Sequence, residues 1–309
     1  MDRHLFHSYE LRRTTSLTPT RYLFNRSLHL RLQSAKNWRI YEIHDRNAEV
    51  KIRIAVHIER NMAVSPLRAP FGFIEFYKKS SWMELVDFIS LMELDLKSRG
   101  VKKIQLKSYP EVYDKNSALT ERALKSLHYI TRHELSSVIR VDQKSYEKKI
   151  KISERQKLRK AEKMFSFEKT SIDQLKDIYS FIETCREEKN HRLSMTFSEL
   201  RKVVAAFPED FLLYKVYDAS GTAAAAIVIK VNEKILYTFY YAHSKKYDKV
   251  SPVVFLISGI YEESQRQGIE MIDLGTSMKG GKINRSLVHF KKSIGGQSYH
   301  KHTFEKVLV

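Results

Sequence analysis

The chain has 309 residues, 42% of them hydrophobic and 33 of them Tyr or Phe, which excludes a disordered composition and accommodates two domains of ordinary size. It has no run of about eighteen apolar residues of the kind a membrane crossing needs, and its charged opening (Asp2, Arg3, Glu10, Arg12, Arg13) lacks the apolar stretch of a secretory signal. One cysteine, Cys185, excludes an internal disulfide and makes the cytoplasm the expected compartment, while a formal net charge of +19 points to a polyanion: nucleic acid, an anionic lipid surface, or a phosphate-bearing substrate.

In chain order, residues 52–59 and 71–77 read as extended segments. Trp82, Leu85, Ile89, Met92 and Leu96 then recur at spacings of three and four, one buried face of a helix. Ser81 with Glu84 forms a capping box at its start, and Arg99-Gly100 closes it. A strand over 101–106 follows. Residues 144–169 carry ten Lys or Arg against four Glu. They predict a helix opened by a Ser153–Gln156 capping signal, with a narrow apolar edge (Leu158, Ala161, Phe165) and a cationic stripe (Arg155, Arg159, Lys163). Two more helices are expected. One turns Ile172, Leu175, Ile178 and Ile182 inward; the other starts at the Thr196–Glu199 capping pair and buries Leu200, Val203 and Val204.

Strands are then expected over 211–217, 223–231 and 235–242, with Tyr237, Phe239 and Tyr241 on one face and Tyr240 on the other. Ser251-Pro252 opens a helix that closes at Arg266-Gln267-Gly268, and a strand over 269–274 follows. Antiparallel strands, a helix, a closing Gly and a further strand thus occur twice. This order predicts an α/β (α+β) chain of two related units, each a mixed, mostly antiparallel sheet flanked by helices, with domains 1–142 and 143–309. Six of the ten glycines lie beyond residue 267, and residues 277–292 hold five cations and no acidic residue. A glycine-punctuated cationic loop of this kind suits a phosphate-bearing group as well as it suits plain solvation.

The order Ser251-Pro252, helix, Gly268, Ile272-Asp273-Leu274-Gly275, Leu287-x-x-Phe290-Lys291, Gly295-Gly296 resembles the C-terminal domain of FemAB-like GNAT acyltransferases, the branch that includes the Fem peptidyltransferases. Arg155-x-x-x-Arg159-Lys160-Ala161-x-Lys163 is similar to the helix opening that domain, and Pro70-Phe71-Gly72 to a stretch of the first. The resemblance implies two tandem GNAT-like domains with the working site in the second. It also implies direct attack of a substrate amine on an activated acyl carbon, with no covalent enzyme intermediate, no metal and no tightly bound cofactor. By position it implies Lys291, near a phosphate-rich donor, as the first functional residue.

Asp273, at a strand end, is a candidate base or substrate anchor, and Tyr241 a candidate to protonate a leaving thiolate or hold the acceptor. Arg155, Arg159, Lys279 and Lys282 are candidate donor phosphate contacts. Ser251 is a further candidate at the turn opening the central helix. Typical CoA-dependent members carry Q/R-x-x-G-x-G/A there, whose backbone N–H groups cradle pyrophosphate. This chain reads Tyr247-Asp248-Lys249-Val250-Ser251-Pro252, and Gln265-x-x-Gly268 only closes a helix. Acyl-CoA is therefore one donor candidate and aminoacyl-tRNA, for Fem-type peptidyl transfer, another. A catalytically silent duplicate that binds polyanions is the reading from a different class. The acceptor expected is an amine of a small molecule or a cell-wall precursor; tRNA or another polyanion, and peripheral membrane contact, stay open as partners. His300 and His302 share a strand face without a third ligand, so no metal site is expected.

Overall fold

The computed structural model describes residues 5–11 and 20–308, so Asp2, Arg3, Arg12 and Arg13 lie outside the described residues. Two compact units divide the chain: residues 1–134 with 299–309, and residues 135–298.

In the first unit, β1 (Leu5–Glu10), β2 (Trp38–His44), β3 (Val50–Glu59) and β4 (Met62–Ser65) are each antiparallel to the next. The helix α1 (Ser27–Gln33) precedes β2, and a short β5 (Glu75–Phe76) pairs with β3. From there α2 (Trp82–Ser98) leads to β6 (Lys103–Pro110), which is parallel to β4. Ser81 and Glu84 form the reciprocal capping box, and Leu85, Ile89, Met92 and Leu96 are fully buried. The extended reading of 71–77 holds only at Glu75–Phe76. Phe71 and Phe73 turn instead into an aromatic cluster with Tyr22, Phe24 and Tyr109, where ring burial outweighs ladder hydrogen bonds. After α3 (Ser117–Ser126) and the first residues of β7 (Ile130–Arg140), this unit regains the chain at its end, where β15 (Gln297–Val307) lies antiparallel to β6.

The second unit takes up β7 at Leu135 and continues with α4 (Ile152–Met164), β8 (Ser166–Thr170), α5 (Leu175–Glu187) and α6 (Phe197–Ala206). The strands β9 (Phe211–Asp218), β10 (Gly221–Asn232) and β11 (Ile235–His243) follow, then α7 (Pro252–Arg266) and β12 (Met271–Thr276). Its strand order is β7-β12-β11-β10-β9-β8, with only β11 and β12 parallel. Leu158 and Ala161 of α4 and Ile257, Ile260 and Tyr261 of α7 share one core cluster with Ala224, Ala226, Val228, Leu236 and Ile272. Each unit therefore contains a strand, a crossover helix, a closing glycine and a parallel strand, and Gly100 and Gly268 stand at matching points with φ of 79° and 69°.

Two local expectations are corrected. The helix α4 starts at an N-cap Lys151 that has no side-chain cap, so Ser153 lies inside the helix and the Ser153–Gln156 capping box does not form. A tertiary bond sets the start instead: Lys151 N–H donates to Ser293 O at 2.9 Å. Residues 277–292 are not one loop. They make a hairpin, β13 (Met278–Lys279) with β14 (Lys282–Ile283), then α8 (Arg285–Ser293), whose N-cap Asn284 accepts from Leu287 N–H at 3.2 Å.

Candidate active site

The parallel pairing of β11 with β12 is short. It runs from Ile235↔Met271 to Tyr237↔Asp273 and stops. Beyond that point β11 stays with β10, while β12 turns at Gly275 and rejoins β7 at Thr276↔Ser136. The two strand ends part, leaving a wedge between them. Gly275 adopts φ +75°, a left-handed conformation that disfavours a side chain. Asp273 holds the turn: its Oδ1 accepts from Gly275 N–H at 2.7 Å and from the Ser136 hydroxyl at 3.1 Å. The carboxylate is buried.

Lys291 reaches the same turn from α8. Its residue is only 2% exposed, and its Nζ donates to Gly275 O at 2.8 Å and Thr276 O at 2.9 Å. Its neighbour Phe290 is half-buried. Burial pushes the Lys291 ammonium down from 10.5 to about 8; the Asp273 charge opposes that shift and Arg186 adds to it. Two of three ammonium donors are spent on carbonyls, which leaves one for a ligand. Gly296 fixes the end of α8 beneath this lysine. Its N–H donates to Lys291 O at 2.8 Å, and a Cβ there would stand 2.7 Å from that oxygen.

Tyr241 is half-buried, and burial raises its phenol while Arg186 lowers it. The side chain of Arg186, on α5, donates from Nη2 to Tyr241 O at 3.2 Å. The even alternation expected along β11 breaks at Phe239. A bulge shifts the register between Ile227↔Tyr240 and Val228↔Thr238, so Tyr241 faces Ala226 and the core shared with α7. One inserted residue moves every later side chain to the other face. Tyr237 and Tyr240 thereby share the opposite side.

The structure thus brings Lys291 and Asp273 around one turn, and Arg186 acts on both Lys291 and Tyr241. The other predicted residues are dispersed. Arg155 donates to Ile150 O at 3.3 Å, and exposed Arg159 pairs with Glu147 at 3.2 Å. Lys279 and Lys282 face each other across the hairpin, exposed. Ser251 is the N-cap of α7 with φ +55°, directly before Pro252, a conformation costing an L-residue roughly 1–2 kcal/mol. Arg186 and Ser136 were missed by sequence reasoning. Each sits inside a regular element, and no local pattern announces contact with a turn so far along the chain. Gln265 closes α7 and donates to Asp142 O and Lys144 O.

His133 joins His300 and His302, with ring centroids 5.6 and 4.8 Å away. Among the described residues no group of three or more His, Cys, Asp or Glu is placed to hold a metal ion. Among them, too, no helix is long and apolar enough to cross a membrane. A cavity of about 680 Å³ lies in the first unit, between Leu94, Ile130 and Val307, and none of the predicted site residues lines it.

A short parallel pair with a crossover helix recurs in each unit, the arrangement of two tandem GNAT-like folds, and in the second unit the pair parts at its end. The comparisons agree: the model of the acetyltransferase (GNAT) domain matches residues 148–292, and the fold of the chain is FemAB-like. The crystal structure of FemX superposes with a TM-score of 0.69 at 14% identity, covering 93% of this chain and 92% of that one. L-PGS from Bacillus licheniformis gives 0.58 at 12% identity, over 89% and 85% of the two chains. A tandem GNAT protein from the clavulanic acid biosynthesis pathway gives 0.50 at 6% identity, over 87% and 82%. No curated protein sequence matches the chain.

Proposed function

We propose that the protein is an N-acyltransferase that moves an acyl or aminoacyl group from an activated donor to an amine by direct attack. The carrying observation is Lys291, a buried ammonium fixed at the wedge with one donor free. The amine nitrogen attacks the acyl carbon, a C–N bond forms, and the carbonyl oxygen becomes an oxyanion that the free Lys291 N–H stabilises. Collapse breaks the bond to the leaving sulfur or oxygen, which takes up the proton that the amine sheds. The neutral phenol of Tyr241 is the candidate to supply that proton and be re-protonated by the amine.

Lys279 and Lys282 have no carboxylate partner among the described residues, and in this reading they take the donor's phosphates. Arg155 and Arg159 are already engaged, and the reading does not lean on them. The acceptor we favour is an amine of a small molecule or a cell-wall precursor, the acceptor class that the family resemblance implies.

An aminoacyl ester donor is favoured over acyl-CoA by one observation. At the opening of α7, Pro252 has no N–H, Val250 and Ser251 N–H both donate to Tyr247 O, and Val254 N–H donates to Ser251 O. Few backbone donors remain there to cradle a pyrophosphate. The test is product formation, read by mass spectrometry, with acetyl-CoA, longer acyl-CoAs and aminoacyl-tRNA, each with small-molecule and cell-wall-precursor amines. Binding is followed by thermal shift, where a donor at a hundred times its dissociation constant stabilises by about 2.7 kcal/mol. An amide product supports the proposal. Stabilisation by every polyanion, including uncharged tRNA, without any product would replace it with a polyanion-binding role.

A further inference from the structure

The buried carboxylate beside the wedge is tied into the turn that Lys291 also grips. We propose that Asp273 is a positioning residue, which acts on the reaction through Lys291 by fixing the Gly275 turn and supplying the charge that offsets the buried ammonium. This rests on the acyltransferase reading given above and deepens it.

The geometry carries the inference. Asp273 is 2% exposed and its Oδ1 is engaged twice, by Gly275 N–H and by the Ser136 hydroxyl. That oxygen is thereby committed to the turn and to β7. The peptide unit it holds is adjacent to the acceptors of Lys291, namely Gly275 O and Thr276 O. Carboxylate, turn and ammonium are therefore one mechanical unit: Asp273 fixes the turn, and the turn aims Nζ. Ser136 enters from β7 and completes the hold. The charges facing Lys291 come from two elements, Asp273 on β12 favouring the ammonium and Arg186 on α5 opposing it. An ammonium buried without a nearby anion sheds its proton, and a neutral amine is a poorer oxyanion donor than a cation.

The test reads Lys291 directly by NMR of the full chain labelled with 13Cε-lysine, the resonance being assigned by its loss in Lys291→Arg. In the wild type it titrates near pH 8. In Asp273→Asn the midpoint falls by about one pH unit or more, a tenfold loss of proton affinity, and in Arg186→Gln it rises. An unmoved midpoint in folded Asp273→Asn overturns the proposal, whether or not the protein transfers acyl groups. If Asp273→Asn fails to fold, the double variant Asp273→Asn/Lys291→Met decides. Recovery of folding in the double variant shows the two side chains acting together. Failure of both variants to fold overturns the proposal in favour of a purely structural turn.

Discussion

Lys291→Met separates the electrostatic account of the site from a packing account. Methionine keeps most of the side-chain volume and removes the charge. Lowering the ammonium from 10.5 to about 8 means the folded state gives up about 3 kcal/mol to keep that proton, at 1.36 kcal/mol per pH unit. The substitution recovers this cost, and loses two charge-assisted bonds to Gly275 O and Thr276 O worth about 1.5–3 kcal/mol each. The two bonds together outweigh or match the recovered cost, so at pH 7 the variant should be less stable by about 0–3 kcal/mol, while transfer activity should fall at least about tenfold.

The pH dependence is the sharper signature. Because the folded value lies below the unfolded one, the unfolded chain binds more protons between pH 8 and 10.5, and wild-type stability gains from this group as pH rises through that window. Lys291→Met lacks the gain, so the difference between the two proteins should move by about 3 kcal/mol from pH 7 to pH 10.5 in favour of the wild type. Urea unfolding followed by circular dichroism measures it. Tryptophan fluorescence serves as internal reference, since Trp38 and Trp82 both lie in the first unit. Parallel pH profiles for the two proteins would refute the reasoning.

Three further outcomes are expected. Burial lowers His29 to about 4, so its contribution is complete above pH 6.5 and is lost as pH falls towards 4; acid should cost the first unit about 3 kcal/mol through this group, visible in tryptophan fluorescence and flattened by His29→Gln. Gly296→Ala drives a Cβ to 2.7 Å from Lys291 O and should cost about 1–3 kcal/mol, with Lys291 displaced in its NMR titration. Ser81→Ala and Thr196→Ala, which break formed capping boxes, should each cost about 1 kcal/mol in urea unfolding, whereas Ser153→Ala should be nearly neutral.

Much of the architecture was legible in the residues, because it rests on short-range physics. The face of α2 follows from apolar spacing, its start from Ser81 and Glu84, and its end from Gly100. The strands β9, β10 and β11 match the apolar runs to within about two residues, and the end of α7 matches Gly268. Lys291 was legible as a position through the family resemblance. Local pattern alone ranks it with Lys292, which is exposed.

What tertiary structure decided is which local options were taken. Ser153 and Lys151 compete to start α4, and a bond to Ser293, far along the chain, selects Lys151. A bulge at Phe239 turns Tyr241 to the core face, and strand alternation read from sequence has no term for an inserted residue. The site itself belongs to this second class. Ser136, Arg186, Asp273 and Lys291 come from β7, α5, β12 and α8, and sequence spacing carries no signal of their convergence. The charge state of Lys291 depends on how far water is excluded and where Asp273 and Arg186 stand, quantities that exist only once the sheet has parted and α8 has closed over the turn.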